Sequence, residues 1–453
     1  MPELQRDHFG STLGILAAAA GSAIGLGNVW KFPYITGVYG GAAFIIVYLV
    51  CIALIGLPVM LSEFLIGRRA DRAAIGSFKK LAPGTAWFLT GWMGVVAAFC
   101  ILSFYSVVAG WTIDYIVRSI ANQFAEKTPE EIKTIFGTFI GGTARPLFWH
   151  VVFMLSCALI VMSGVKKGIE KYSKILMPLL LIILIVLDIR ALTLPGAGKG
   201  LAFLFQPDFS KLSAAGVLAA LGHAFFSLSL GMGAMITYGS YIEKKENLGS
   251  ISLQVIIADT MIALLAGIAI FPSVFAFGIE PGAGPGLVFV TLPNVFNQMP
   301  GGYIFQILFF VLLVVAALTS AISILEVVVA YFVEELNMKR HLATFVSTAA
   351  IGFIGVFASL SQGPLSTFTL PIFNRSVFDS LDFLASNILL PVGGMFVTLF
   401  VGWYLKQHIV RDEVSNGGKL SISYMPLFMI LCKVVAPIGI AIVFLNGLGI
   451  LKF

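Results

Sequence analysis

Asn28, Ser227, Ser229, Asp259, Thr319 and Ser320 each place an oxygen inside a stretch of chain otherwise too apolar to hold one. A hard cation such as sodium takes oxygen ligands of this kind, and no cluster of thiols or imidazoles accompanies them. Asp259 is the sharpest of the set, because a carboxylate at the centre of a membrane span costs about 2.5–3.5 kcal/mol on insertion scales and needs a partner. Thr319 and Ser320 stand out as an adjacent pair, since an isolated hydroxyl in a helix ordinarily back-bonds to the preceding turn. Glu63 and Glu326 also fall within apolar runs and read as structural hydrogen-bonding groups, whereas Asp114 and Asp188 lie near the ends of theirs and read as solvated.

Two interrupted helices would have to position these oxygens. The stretch 20–33 sets Gly21, Gly25 and Gly27, with Ser22, Asn28 and Pro33, inside what is otherwise a membrane-spanning run. Five spans later, Ser227-Leu-Ser-Leu-Gly231-Met-Gly233 echoes Gly25-Leu-Gly27. Close helix packing through Gly21 and Gly25 is the plain alternative. In hydrocarbon, however, a broken helix is tolerated only where the freed backbone groups face protein, water or a ligand. Such a break exposes a positive half-helix N-terminus, which attracts a carboxylate, and bare carbonyls, which attract cations. An amino acid carried with sodium fits both ends. Because five is odd, the two broken helices run in opposite directions, the pattern of an inverted repeat in a secondary transporter.

The 453 residues are 58% hydrophobic and 11% charged, and the apolar runs repeatedly exceed the length that spans a bilayer. The spans predicted are 11–35, 40–66, 87–120, 147–163, 169–189, 213–241, 250–277, 303–333, 343–360, 378–405 and 424–448. The expectation is an all-α polytopic membrane protein of eleven transmembrane helices, a 5+5 inverted repeat with helices 1 and 6 discontinuous. Residues 1–453 form one transporter domain, with a first repeat over 11–190, a second over 213–405 and the eleventh helix over 423–449. No polar segment is long enough for a separate soluble domain. The formal charge of +6 resides in short loops, so it speaks for topology and against a nucleic-acid partner. Alternation of Lys- and Arg-rich loops puts the N-terminus in the cytoplasm and, with an odd helix count, the C-terminus outside. The loop 122–146 is expected outside and partly helical, as is the Gly/Pro-rich loop 281–286 outside. Cys51, Cys100, Cys157 and Cys432 read as buried thiols.

The motifs that would mark an intramembrane hydrolase are missing, and His223 is the histidine set well within a span. No charge ring or filter repeat suggests a channel. A proton-coupled or exchange-type amino-acid carrier, with Asp259 titrating, is the rival within transport; Thr319 and Ser320 speak against it.

At this point the motifs resemble those of the neurotransmitter:sodium symporter family, in particular its bacterial amino-acid transporters. The resemblance rests on the stretch 20–34, on Gly56-Leu-Pro58 through Glu63 to Gly67-Arg68, on Ser103-Phe-Tyr105 and Trp111, on the run 226–233, and on Ala316-Ala-Leu-Thr319-Ser320. It implies two sodium sites: a first from the Ala23 carbonyl, Asn28, Ser227, Asp259 and the substrate's own carboxylate, and a second from carbonyls of Gly21, Ile24 and Ala316 with the hydroxyls of Thr319 and Ser320. It also implies a substrate carboxylate on the Leu26 and Gly27 amides and the Tyr105 hydroxyl, and an amine on carbonyls of Ala23, Phe226 and Ser227. The substrate side chain would lie among Ile101, Phe226, Ser229, Met232, Ser320 and Ile324, with Ser22 also in the binding set. The outer gate would pair Lys31 with Asp382, and the inner gate Arg6 with Glu334 beside Phe9 and Tyr241. Three departures stand out. Lys31 replaces the family's Arg, losing its bidentate fork. Asp259 stands where chloride-dependent members carry Asn, which implies chloride-independent transport. A twelfth helix is missing, and with it any dimer contact made through that helix, so the oligomeric state stays open. The implied function is sodium-coupled symport of hydrophobic or aromatic L-amino acids through a bacterial cytoplasmic membrane. Gly168 and Pro178, with nine residues between them, suggest a segment of helix 5 able to unwind.

Overall fold

The computed structural model describes residues 8–278 and 286–451, and its regular structure is helical apart from one isolated bridge between Leu370 and Arg375. In chain order the helices are α1 Thr12–Ala23, α2 Gly27–Val38, α3 Ala42–Ala70, α4 Ala74–Leu81, α5 Phe88–Ile120, α6 Pro129–Ile140, α7 Ala144–Met162, α8 Val165–Leu192 and α9 Ala197–Phe205. The chain continues with α10 Ala214–Ser227, α11 Ala234–Gly239, α12 Leu248–Ala276, α13 (287–298), α14 Gly302–Glu335, α15 Arg340–Leu360, α16 Val377–Tyr404, α17 Gln407–Val414 and α18 Met425–Gly447. Among the described residues nine helices are individually long and apolar enough to cross a bilayer, and α1 with α2 makes a tenth span bent by 48°. The apolar α10 and the short α11, on either side of 228–233, form the broken sixth, which completes the expected eleven.

Both interruptions have local causes. Ile24 leaves the helix with φ −75° and ψ 103°, and the chain re-enters a helix at Gly27 with Pro33 in the first turn of regular α-helix, where a missing N–H does no harm. In the second break, Gly231 and Gly233 take φ of 78° and 74°, a left-handed conformation that glycine adopts without strain. A side chain at Gly231 would collide with the Leu390 carbonyl of α16. The freed Gly231 N–H donates to Glu63 Oε1 at 2.7 Å, so a buried carboxylate of α3 holds the break open. Glu63 thus has the structural role its sequence context implies. So does Glu326, which accepts from Tyr241 Oη at 2.7 Å and from Arg340 Nη2 at 2.5 Å, joining α14 to the chain after α11 and to the start of α15.

Two carboxylates depart from expectation. Asp114 is buried rather than solvated, because Arg118, Arg145 and the Trp149 indole all donate to it. Asp188 is buried too, and neither of its oxygens has a hydrogen-bond partner among the described residues. The loop 122–146 is helical over α6, where Thr128 and Glu131 close a capping box. Of the Gly/Pro-rich loop, 281–285 lies outside the described residues. The short helices α4, α9, α13 and α17 were not foreseen. One of them, α17, is locked to the end of α3 by Arg68, whose Nε donates to Glu413 Oε1 at 2.5 Å, while Arg68 Nη1 donates to the Glu246 carbonyl, just before α12, at 2.7 Å. Helix α8 runs unbroken through Pro178, with a π-wound first turn, so the segment from Gly168 is wound in this conformation. Glu170 there accepts from Gly10 N at 2.7 Å and Ser11 Oγ at 3.1 Å, fastening the start of α1 to α8.

Candidate substrate and sodium site

The two breaks meet. Ser229, itself at φ 54°, donates its Oγ to the Ser22 carbonyl at 2.8 Å, a bond running directly from the second interruption to the last turn of α1. Beside it, Asn28 Nδ2 donates to Asp259 Oδ1 at 2.7 Å and to the Asp259 carbonyl at 3.1 Å, and Ser227 Oγ reaches both Asp259 oxygens at 3.1 Å. The other end of the Asn28 amide accepts from Gly25 N at 3.0 Å, so one side chain closes the gap that the first break opens. Asn28, Ser227 and Asp259 are all buried. They form a dense set of oxygens around one carboxylate, a donor set suited to a hard monovalent cation.

Next to this cluster is a tight cavity of about 10 Å³, lined by Ala23, Gly25, Gly27, Ile101, Tyr105, Phe226, Ser229, Met232, Ser320 and Ile324. Nine of the ten belong to the set expected from sequence, and Gly25 is the addition. Gly25 is required by space: a Cβ there would lie 2.9 Å from Tyr105 Oη and 3.0 Å from Ser320 Cβ. The polar end is marked by Tyr105, whose hydroxyl accepts from Leu26 N at 3.1 Å. The other end is apolar, with Ile101 and Tyr105 from α5, Ile324 from α14 and Met232 from the second break. Ser22 is displaced from the expected lining: its hydroxyl pairs with Ser323 Oγ at 2.7 Å, and neither serine lines the cavity. Ser227 likewise turns to Asp259 and is not among the lining residues.

The second oxygen group is also brought together in part. Gly21 faces Thr319, where a Cβ would lie 3.3 Å from Thr319 Cβ. Thr319 Oγ1 donates back to the carbonyls of Val315 and Ala316, each at 3.1 Å, which leaves its lone pairs turned away from its own helix. Ile24 and Ala316 are buried as well.

The gates differ from expectation on the outer side. Lys31 and Asp382 form no ion pair within 4.0 Å. Lys31 Nζ instead lies 4.3 Å from the centroid of the Phe226 ring, and Asp382 accepts from Ser386 at 2.8 Å. A lysine ammonium is a point charge on a flexible stem and takes the negative face of a ring that lines the cavity. On the inner side, Phe9 N donates to the Tyr241 carbonyl at 3.1 Å, and the Phe9 ring meets Tyr241 edge-on at 6.0 Å and Tyr238 at 5.6 Å. Glu334 accepts from Ala73 N at 2.8 Å. Arg6, its expected partner, lies outside the described residues.

Sequence reasoning missed Tyr48 and reads His223 as a hydrogen-bonded helix residue, whereas neither ring nitrogen of His223 has a hydrogen-bond partner among the described residues. Tyr48 is buried beside Asp259 and Ser227, and His223 stacks on Phe32 at 5.8 Å and tilts against Tyr48 at 5.4 Å. The signal was present as His223 standing one helical turn before Ser227.

Comparison with known proteins agrees with this geometry. The model of the sodium:neurotransmitter symporter family matches residues 6–133 and 140–452. An uncharacterized sodium-dependent transporter of Bacillus subtilis (strain 168), YhdH, is 41% identical over 100% of both chains. An uncharacterized sodium-dependent transporter of Haemophilus influenzae is 37% identical over 98% of each. The crystal structure of MhsT in complex with L-phenylalanine matches with a TM-score of 0.90 at 49% identity, covering 98% of this chain and 100% of that one. With two interrupted spans meeting at buried oxygens, and with this similarity along nearly its whole length, the chain belongs to the sodium:neurotransmitter symporter family and is a sodium-dependent secondary transporter, not an enzyme.

Proposed function

We propose that the chain carries hydrophobic or aromatic L-amino acids into the cell with sodium, by alternating access and without chloride. The cavity carries this reading, since it has one polar end, at the Leu26 amide and Tyr105, and an otherwise largely apolar wall. Met232 is a flexible side chain that adapts to several shapes, and Ser229 and Ser320 are small residues of the same lining. The L-phenylalanine bound by MhsT is a ligand of the kind this wall suits. The first sodium would lie among Ala23, Asn28, Ser227 and Asp259 and touch the substrate carboxylate, so that each ligand raises the affinity for the other. The second would lie among Gly21, Ile24, Ala316, Thr319 and Ser320. Two sodium ions per zwitterion move two charges, and 100 mV then supplies roughly 4.6 kcal/mol, on the order of a thousandfold accumulation. One sodium would give about fortyfold.

Competition of the twenty standard amino acids against labelled L-phenylalanine, in sodium and in its absence, tests the substrate class; binding that ignores sodium or favours charged side chains would overturn it. Uptake into proteoliposomes under a sodium gradient alone or a proton gradient alone separates this mechanism from a proton-coupled carrier. Tyr105→Phe removes the hydroxyl that would donate to the substrate carboxylate, so substrate affinity is expected to fall about tenfold, the effect of one hydrogen bond to a charged group. The same binding assay on that variant measures it. Asp259 supplies a fixed negative charge beside the first sodium. Replacing chloride by gluconate at constant sodium is therefore expected to leave uptake unchanged, and collapse of uptake would refute the assignment. The N-terminus is assigned to the cytoplasm and the C-terminus to the outside by the loop charges, which cysteine labelling at the exposed Lys419 and Ser366 from either side would check.

A further inference from the structure

Away from the substrate cavity, the ends of α5 and α7 and the helix α6 enclose a second cleft of about 370 Å³, lined by Arg118, Thr134, Thr138, Phe139 and Arg145 with backbone at Gly142. Its floor is built. Asp114 is fully buried and takes Arg118 Nε on Oδ2 and Arg145 Nε on Oδ1, each at 2.5 Å, with the Trp149 indole also on Oδ1 at 2.7 Å. One carboxylate therefore grips two guanidiniums by their inner nitrogens and holds them side by side. Their outer nitrogens are left over: Arg118 Nη1 reaches Gln123 Oε1 at 3.1 Å, and Arg118 Nη2 and both Nη of Arg145 have no protein partner among the described residues. Two arginines against one aspartate leave a net charge of +1 at the cleft.

We propose that this cleft binds a phosphate oxyanion, and that the phosphate is that of an anionic glycerophospholipid. Paired, planar guanidinium forks match the oxygens of a phosphate better than any single charge would. The location selects the lipid. Val117 adjoins Arg118 in the chain, and Phe148 stands one turn from Arg145; both are exposed large apolar side chains on bilayer-spanning helices, Phe148 at 57%. A headgroup in the cleft thus keeps its acyl chains against the apolar face beside it. Asp114, which a sequence reading takes for a solvated residue, acts as the clamp that aims the arginines.

The test uses the full-length transporter in detergent, with phosphatidylglycerol, phosphatidylcholine and inorganic phosphate as probes, read by native mass spectrometry and thermal protection. Arg145→Gln removes one fork and leaves Asp114 with Arg118 and Trp149; Thr138→Glu puts a carboxylate into the cleft with all three Asp114 partners kept. Wild type is expected to retain phosphatidylglycerol over phosphatidylcholine, and either variant to lose about tenfold in that retention, the effect of one charge-assisted hydrogen bond. Both variants should keep wild-type uptake. Protection by inorganic phosphate without lipid retention would leave the oxyanion site standing and overturn its lipid source. Equal lipid retention by wild type and both variants, with no protection by phosphate, would overturn the site itself.

Discussion

Replacing Asp259 by Ala is expected to bring sodium-driven uptake to background and to weaken sodium and substrate binding together, each by about a hundredfold or more. Asp259 is the group on which the first oxygen cluster converges: Asn28 donates to it at 2.7 Å and Ser227 to both its oxygens at 3.1 Å. Removing one member of a buried charged network costs about 3–5 kcal/mol, because the surviving groups stay buried without a partner. At 1.4 kcal/mol per decade this is at least two decades of affinity. Coupling between ligands is reciprocal, so a site that loses its sodium must lose substrate affinity by the coupling factor as well. Asp259→Asn keeps an acceptor for Asn28 but not the charge, and its sodium affinity is expected between wild type and Ala. Substrate binding titrated at graded sodium concentrations measures both. A variant that loses one ligand and holds the other at wild-type affinity would contradict the proposed coupling.

How much of this site could be read from sequence depends on how local each cause was. Both breaks were legible because glycine spacing and Pro33 act on their own backbone. Most of the cavity lining was legible because the motifs that carry it are contiguous in four separate spans. Asp114 was not, since its burial depends on Arg145 and Trp149, 31 and 35 residues further on. Proximity to a span end suggests water, and only the return of α7 alongside α5 removes it. Lys31 was misplaced for a related reason: the resemblance supplies a partner of opposite charge, but the substitution of ammonium for guanidinium lets the cation settle on Phe226 instead. Ser22 failed differently, because residues in a helix's last turn lie within a fraction of a turn of two walls, and Ser323 faced the nearer one. The short helices α4, α9, α13 and α17 have 12 residues or fewer and owe their order to packing rather than to a periodic pattern long enough to see.

Gly67→Ala, far from any ligand, is expected to destabilise the protein by about 3 kcal/mol or more and to slow transport with it. Helices α3 and α11 cross with their backbones in contact. A Cβ at Gly67 would fall on the Ile236 carbonyl, with Ser240 N at 2.9 Å, and reciprocally a Cβ at Gly239 would lie 2.6 Å from the Phe64 carbonyl. In a membrane, where apolar burial does not drive helices together, such close approach is what binds them. The neighbours here are backbone atoms, so no side chain can swing aside. The crossing also carries the site: Glu63, one turn before Gly67, holds the Gly231 N–H and through it the second break. Pushing α3 off α11 thus moves the carboxylate that keeps helix 6 open and, with it, Met232 in the cavity wall. Gly137→Ala serves as the control, because that glycine has nothing within 4 Å of its would-be Cβ and sits in α6 with ordinary helical geometry. The control should be neutral or stabilising by up to about 1 kcal/mol. Thermal midpoints in detergent and sodium-driven uptake, measured on both variants, decide the matter. A Gly67→Ala transporter with the wild-type midpoint would show that α3 and α11 can part without loss, so that the two broken halves of the molecule are not held by this crossing.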